Sequence, residues 1–155
     1  QLVMSVLKKE LVRTGMEAAT AEEAMRALAK AMLAEGLVRE SFVEAVLERE
    51  KTYPTGIPAK VFDIALPHTM AEHVITPCMA VGVLKEPVEF RQMGTPDIIL
   101  HPRLIFMLAI SDPKEQIGQL KKIMKLLQND ALLLGIRDAQ TAEQVVELLD
   151  PALEN

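Results

Sequence analysis

Residues 53–73, YPTGIPAKVFDIALPHTMAEH, decide how the rest of this 155-residue chain is read. The segment opens on a turn cluster, Pro54, Thr55, Gly56 and Pro58, and continues as an apolar, β-prone run through Val61, Phe62, Ile64, Ala65 and Leu66. Pro67 lacks an N–H and holds the residue before it extended, so the strand is expected to end there. His68 then stands at the mouth of a sheet, where ligands and reacting groups collect in α/β folds. A second imidazole, His73, follows five residues later.

Working outward, two helices are expected to deliver the chain into this segment. Thr20 with Glu23 forms a capping-box pattern ahead of Ala24, Met25, Leu28, Met32 and Leu33, and Gly36 ends that helix. Ser41 with Glu44 repeats the pattern ahead of Phe42, Val43, Val46 and Leu47, with closure expected near residues 49–51. Residues 2–7 are a short apolar run that fits a first strand. On the other side of His73, residues 79–84 and 88–90 read as strands bracketing a turn at 85–87. Residues 92–103, with Gly94, Pro96 and Pro102, read as a loop ordered at most around 97–100. The run 104–110, LIFMLAI, has the continuous apolarity of a strand covered on both faces.

A third helix is expected after Asp112 as cap, Pro113 at its first position and Glu115 completing the box, with Ile117, Leu120, Met124 and Leu127 inward. A short turn of helix at 131–134 should stop near Gly135, and Thr141 with Gln144 should open a last helix carrying Val145, Leu148 and Leu149. Eight of the nine prolines fall between residues 54 and 113, which sets a strand-rich middle apart from helical flanks. The expected fold class is α/β: one domain, residues 1–155, a sandwich with a mixed β-sheet flanked by helices on both faces.

Composition narrows the function classes. Half the residues are hydrophobic, a quarter are charged, and aromatics are only 3% with no Trp, so Leu, Ile, Val, Ala and Met must build the core. Seventeen basic against 22 acidic residues give a net charge of −5, which argues against nucleic-acid binding. The single cysteine, Cys78, excludes an intrachain disulfide, suits a reducing cytosol and reads as a small buried hydrophobe. No apolar run approaches a membrane span, and no signal-peptide pattern is present. A chain opening on Gln is expected to be processed or trimmed.

Several chemistries fall away. Ser5, Ser41 and Ser111 are the only serines and none lies in a G-x-S-x-G elbow; no P-loop or G-x-G-x-x-G cradle exists for a nucleotide. His68, His73 and His101 lack metal-ligand spacing, so no metal or other cofactor is expected. His68 remains. A neutral imidazole, with its ordinary pKa of about 6.5, is a good nucleophile, and its phosphoramidate is labile enough to pass the phosphoryl group on. Such a carrier needs an orienting hydrogen bond on the other ring nitrogen and donors for phosphoryl oxygens. Thr55, the amides around Gly56, Arg49 and His73 are the candidates. Taken singly, Arg49 also reads as a solvated helix end and Thr55 as an ordinary turn residue.

LEREKTYPTGIP followed by ALPHTMAEHVITP resembles the type-2 enzyme IIA domains of the bacterial sugar phosphotransferase system, the fructose, mannitol and galactitol relatives. In that family a Pro-Thr-Gly segment precedes a strand ending in an Ile/Val-Pro-His motif whose histidine is phosphorylated; the matching position is His68, after Leu66 and Pro67. The likeness continues through the N-terminal helices, a VLKEPVEF hairpin, the LIFMLAISDPKEQ segment and the C-terminal helices. Many fructose- and mannitol-like members carry a second histidine where this chain has Gln116. Gln there, and a histidine matching His73, are features of the galactitol-like branch.

The resemblance implies a phosphotransferase with a phosphohistidine intermediate and no cofactor. A histidine phosphocarrier protein would phosphorylate His68, and His68 would pass the phosphate to a cysteine of an enzyme IIB partner for sugar or polyol uptake through a membrane IIC component. His73 is then the hydrogen-bonding neighbour of His68 and Arg49 a phosphate contact, with Met70 and Ile57 in the docking rim. The protein would be cytoplasmic, with no membrane insertion of its own. Two alternatives stay open: a phosphorylatable module of a sugar-operon transcriptional regulator, and a binding module that keeps the fold without phosphate flow.

Overall fold

A computed structural model describes residues 7–114 and 116–154. The expected strand at residues 2–7 and the capping role of Glu115 lie outside the described residues. A 3-10 turn at Lys9–Leu11 leads into β1 (Val12–Met16), followed by α1 (Ala21–Ala34) and α2 (Ser41–Thr52). Two short strands follow, β2 (Gly56–Ile57) and β3 (Ile64–Ala65), then a 3-10 turn at Ala71–His73 and β4 (Cys78–Leu84). β5 (Phe90–Gln92), β6 (Thr95–Leu100) and β7 (Leu104–Ala109) complete the strands, and α3 (Gln116–Leu126), α4 (Asp130–Asp138) and α5 (Ala142–Glu154) close the chain.

The seven strands form one sheet in the order β1-β4-β7-β3-β2-β5-β6. β1 runs parallel to β4, β3 to β7 and β2 to β5; the other three pairings are antiparallel, so the sheet is mixed as expected. The period-2 alternation of β7 sorts its side chains to two sides. Ile105, Met107 and Ala109 join Leu28, Met32, Phe42 and Val46 of α1 and α2. Leu104, Phe106, Leu108 and Ile110 join Ile123, Leu133, Ile136, Val145 and Leu149 of α3, α4 and α5. Helices cover both faces, which is why the run 104–110 is apolar throughout.

The helix signals hold with local differences. Thr20 Oγ1 accepts the Glu23 N–H at 3.1 Å, and Gly36, at φ 72°, takes the chain past the end of α1. The Ser41 capping box does not form: Glu40 precedes α2, Ser41 Oγ bonds His73, and Glu44 pairs with Arg26 at 2.7 Å. Asp112 does not cap α3 directly. Its Oδ1 accepts the Lys114 N–H at 2.9 Å in a tight turn, and the helix begins later, at Gln116. Of its expected inner face, Leu127 is buried and Leu120 and Met124 pack half-buried against the core beside Ile123, whereas Ile117 is 70% exposed. Asn129, not anticipated, caps α4, which runs past Gly135 because a Cβ there would sit 3.3 Å from Leu148: the glycine lets α5 pack close. The Thr141–Gln144 box is reciprocal, as expected.

The strands hold three corrections. The apolar run after Gly56 is ladder-paired only at Ile64–Ala65. β4 and β5 do not form a hairpin, since β4 lies between β1 and β7 while β5 pairs with β2 and β6. The hairpin is instead β5–β6, turning at Met93 and Gly94 (φ 76°), so most of the expected loop 92–103 is strand. β6 is the last strand in the order, and an edge tolerates Pro96 because its missing N–H deprives no neighbour.

Candidate functional site

His68 follows β3 immediately. The backbone of Leu66 and Pro67 still ties to neighbouring segments, with Leu66 N–H donating to Thr55 O at 3.2 Å and Leu108 N–H to Pro67 O at 2.9 Å. This fixes the imidazole from below. Its Nδ1 lies 2.8 Å from the Leu66 carbonyl oxygen, an acceptor only, so Nδ1 carries the proton and Nε2 keeps its lone pair. The ring is only 7% exposed. Burial lowers its pKa below the usual histidine value, against the opposing pull of the Leu66 carbonyl, and the nearby Arg49 cation lowers it further. At neutral pH the ring is therefore an oriented, uncharged nucleophile.

His68 lines an open cavity of about 330 Å³ together with Arg49, Tyr53, Thr55, Gly94 and Leu120. The last turn of α2, the Pro54–Thr55 turn, the β5–β6 turn and α3 thus converge on one ring. The Arg49 guanidinium lies over the Tyr53 ring at 4.9 Å, and its Nε is buried without a hydrogen-bond partner. Arg49 also lines the cavity, where its positive charge favours an anion. An uncharged nucleophile beside a guanidinium suits an incoming phosphoryl group.

The other expected site residues fall differently. Thr55 is buried in the cavity wall, but both of its donors are taken: its N–H and its hydroxyl each donate to a Glu50 carboxylate oxygen at 2.7 Å. Gly56 lies inside β2 rather than on the cavity wall, and its hydrogen is structural: a Cβ would stand 2.6 Å from the Arg91 carbonyl oxygen. His73, expected beside His68, instead places Nδ1 2.8 Å from Ser41 Oγ and does not line the cavity, so the Leu66 carbonyl is what orients His68. Ile57 is 7% exposed and no rim residue, whereas Met70 is 56% exposed.

Two site residues were not singled out for what they do. Gln116 Nε2 donates to the Thr69 carbonyl at 2.9 Å, fastening the first residue of α3 to the loop that carries His68. Glu50 clamps Thr55, and burial raises its carboxyl to about 7 despite Thr55's two hydrogen bonds and the Arg49 charge. A carboxylate in the last turn of a helix, where the dipole favours cations, was a signal in the sequence that something else holds it. Cys78 is fully buried, and burial pushes its thiol up to about 12, which fits the small-hydrophobe role. Among the described residues no group of three or more side chains is placed to hold a metal, and no helix is long and apolar enough to cross a membrane.

A buried, oriented histidine at a strand end, beside an arginine on a mixed α/β sandwich, suits a domain that handles an anionic group. Residues 5–151 match the family model described as phosphoenolpyruvate-dependent sugar phosphotransferase system, EIIA 2, and the chain belongs to that family. The galactitol-specific EIIA component of Escherichia coli is 28% identical over 135 residues, covering 85% of this chain and 89% of that protein. The solved complex of enzyme IIAMTL and phosphorylated enzyme IIBMTL from Escherichia coli holds a chain 26% identical to this one. It superposes with a TM-score of 0.76 over 94% of this chain and 98% of the other. The licABCH operon regulator of Bacillus subtilis is 28% identical over 121 residues, 78% of this chain but 17% of the regulator.

Proposed function

We propose that this protein is the phosphocarrier of a sugar phosphotransferase system, with His68 as the residue that carries the phosphate. A histidine phosphocarrier protein presents its phosphoryl group at the cavity, Nε2 of His68 attacks phosphorus in line, and the donor nitrogen leaves. His68 then yields the group to a cysteine of an enzyme IIB partner, which serves uptake of a sugar or polyol through a membrane IIC component. The observation that carries this reading is the unprotonated Nε2 of a neutral, Leu66-oriented His68 in the cavity that Arg49 also lines. Arg49 is then the phosphate contact and the shared charge-stabilising group of both transfers. A galactitol-like polyol is the preferred substrate class, supported by the galactitol-specific relative and by Gln at position 116. The IIB partner is supported by the complex formed by the IIAMTL neighbour. Each step belongs to the cytoplasmic side of the membrane.

The test is direct. The protein is incubated with phosphoenolpyruvate, enzyme I and the histidine phosphocarrier protein, and intact mass is followed for wild type and His68→Ala. One acid-labile phosphate on wild type and none on His68→Ala is the expected result; an unlabelled wild type overturns the reading. A second reading, a module of an operon regulator, has the Bacillus subtilis relative in its favour. It requires that phosphorylated protein fail to label every galactitol-type, mannitol-type and fructose-type IIB offered to it.

A further inference from the structure

The Thr55 hydroxyl has one hydrogen, and that hydrogen points away from the site. With Glu50 ionised, both Thr55 donors are held by its two oxygens, at 2.7 Å each, and Thr55, which lines the cavity, has no donor left to offer. A phosphoryl group on Nε2 of His68 is acceptor-only at its oxygens, so a Thr55 hydroxyl committed to Glu50 conflicts with it, having no hydrogen to donate. The conflict disappears if Glu50 takes up a proton. A protonated Glu50 donates its own O–H to Thr55 Oγ1 and still accepts the Thr55 N–H, and the Thr55 hydroxyl turns to donate to the phosphoryl group. We propose that Glu50 is a positioning residue whose protonation aims the Thr55 hydroxyl at the phosphoryl group, so that loading of His68 takes up a proton at Glu50.

This rests on His68 being the phosphate acceptor. In the transfer the P–N bond to the donor breaks as the Nε2 lone pair forms the new one, the donor nitrogen regains its pair, and the Nδ1 proton stays on Nδ1, donated to the Leu66 carbonyl. The proton gained by Glu50 comes from solvent. Supply is easy near neutrality, because burial already holds the Glu50 carboxyl at about 7. The charged groups around it are Arg49 and Lys51 of α2, Glu22 of α1, and Glu89 and Arg91 beside and within β5. His68, its pKa lowered, is neutral throughout the same range.

The experiment loads wild type, Glu50→Gln and Thr55→Val with potassium phosphoramidate, a donor too small to depend on docking, and measures the equilibrium loaded fraction by mass as pH rises above 7. Each variant is read relative to wild type at the same pH, which cancels the donor's own titration. Wild-type loading should fall by up to about tenfold per pH unit relative to Glu50→Gln. The glutamine amide donates to Thr55 Oγ1 at every pH and so holds the hydroxyl permanently in the loaded orientation. Thr55→Val should load poorly with no such pH dependence. Glu50→Gln tracking wild type across the range, or loading as poorly as Thr55→Val, overturns the proposal while leaving His68 the carrier. A wild type that takes no phosphate from either phosphoramidate or the protein donors overturns both readings together.

Discussion

Within one turn of chain, Arg49 and Glu50 divide the labour at the site: the cation lines the cavity and the carboxylate holds its wall. The carboxylate also makes stability depend on pH. Glu50's folded pKa, about 7, lies above its ordinary value of 4.5, so the folded state binds the proton more tightly than the unfolded chain. The stabilisation is fully present below 4.5 and is lost as pH rises through about 7. Urea unfolding should show wild type losing on the order of 2–3 kcal/mol between acid and alkaline ends of that window relative to Glu50→Gln, which carries no titrating group there. Parallel stability profiles for the two proteins would contradict it. His68 was legible from sequence because Pro67 and Leu66 announce the end of a strand. Glu50 was not, because its partner Thr55 is met only when the turn folds back on the helix end, and no periodicity encodes that return. His73 misled for a related reason: nearness in sequence to His68 does not overcome a 3-10 turn that carries it over to Ser41.

Elements read correctly were those whose burial is complete or whose caps are local. β7 and β4 are buried at every position, and α1 and α5 open on side-chain caps within four residues of their first turn. The elements missed or displaced take their identity from neighbours. β1 contains Arg13, Thr14 and Gly15, with Gly15 at φ 58° beside a break in its register with β4, and nothing in five such residues alternates cleanly. β6 is exposed at five of its six positions, so its strand character comes from pairing with β5 and not from a buried face. β2 is only two residues long and survives because β3 and β5 hold it from both sides. Gly56 is the contact that lets β5 approach. With a Cβ 2.6 Å from the Arg91 carbonyl oxygen and 3.2 Å from Leu100, Gly56→Ala must push β5 and β6 away from β2. The expected cost is about 1–3 kcal/mol in denaturant unfolding. The β5–β6 turn forms one wall of the cavity, so His68→Ala-sensitive phosphate loading should fall in the same variant. Unchanged stability would mean that the strand pair yields without cost.

Across the whole molecule, three exposed apolar side chains belong to the segments that carry the site: Tyr53 lines the cavity, and Met70 and Ile117 sit on the His68 loop and on the helix bonded to it. Tyr53, at 61% exposure, follows α2; Met70, at 56%, follows His68 by two residues; Ile117, at 70%, is the second residue of α3. The Gln116–Thr69 hydrogen bond ties the segments of Ile117 and Met70 together, and Arg49 lies over the Tyr53 ring. Exposed apolar side chains on the segments of a candidate nucleophile serve a protein partner better than a small substrate, because a phosphoryl group alone needs only polar contacts. The net charge of −5 adds a mild preference for a basic face on that partner. Met70→Lys and Ile117→Lys should therefore slow phosphoryl exchange with the histidine phosphocarrier protein and with IIB by about tenfold, the equivalent of 1.4 kcal/mol at a contact of moderate weight. Loading from phosphoramidate, which needs no docking, should be unchanged, and so should unfolding, since both side chains are already in water. If protein-donor rates match wild type in both variants, docking does not use this rim. If phosphoramidate loading falls as well, the substitutions have disturbed the His68 loop through Thr69, and the rim assignment fails for that reason instead.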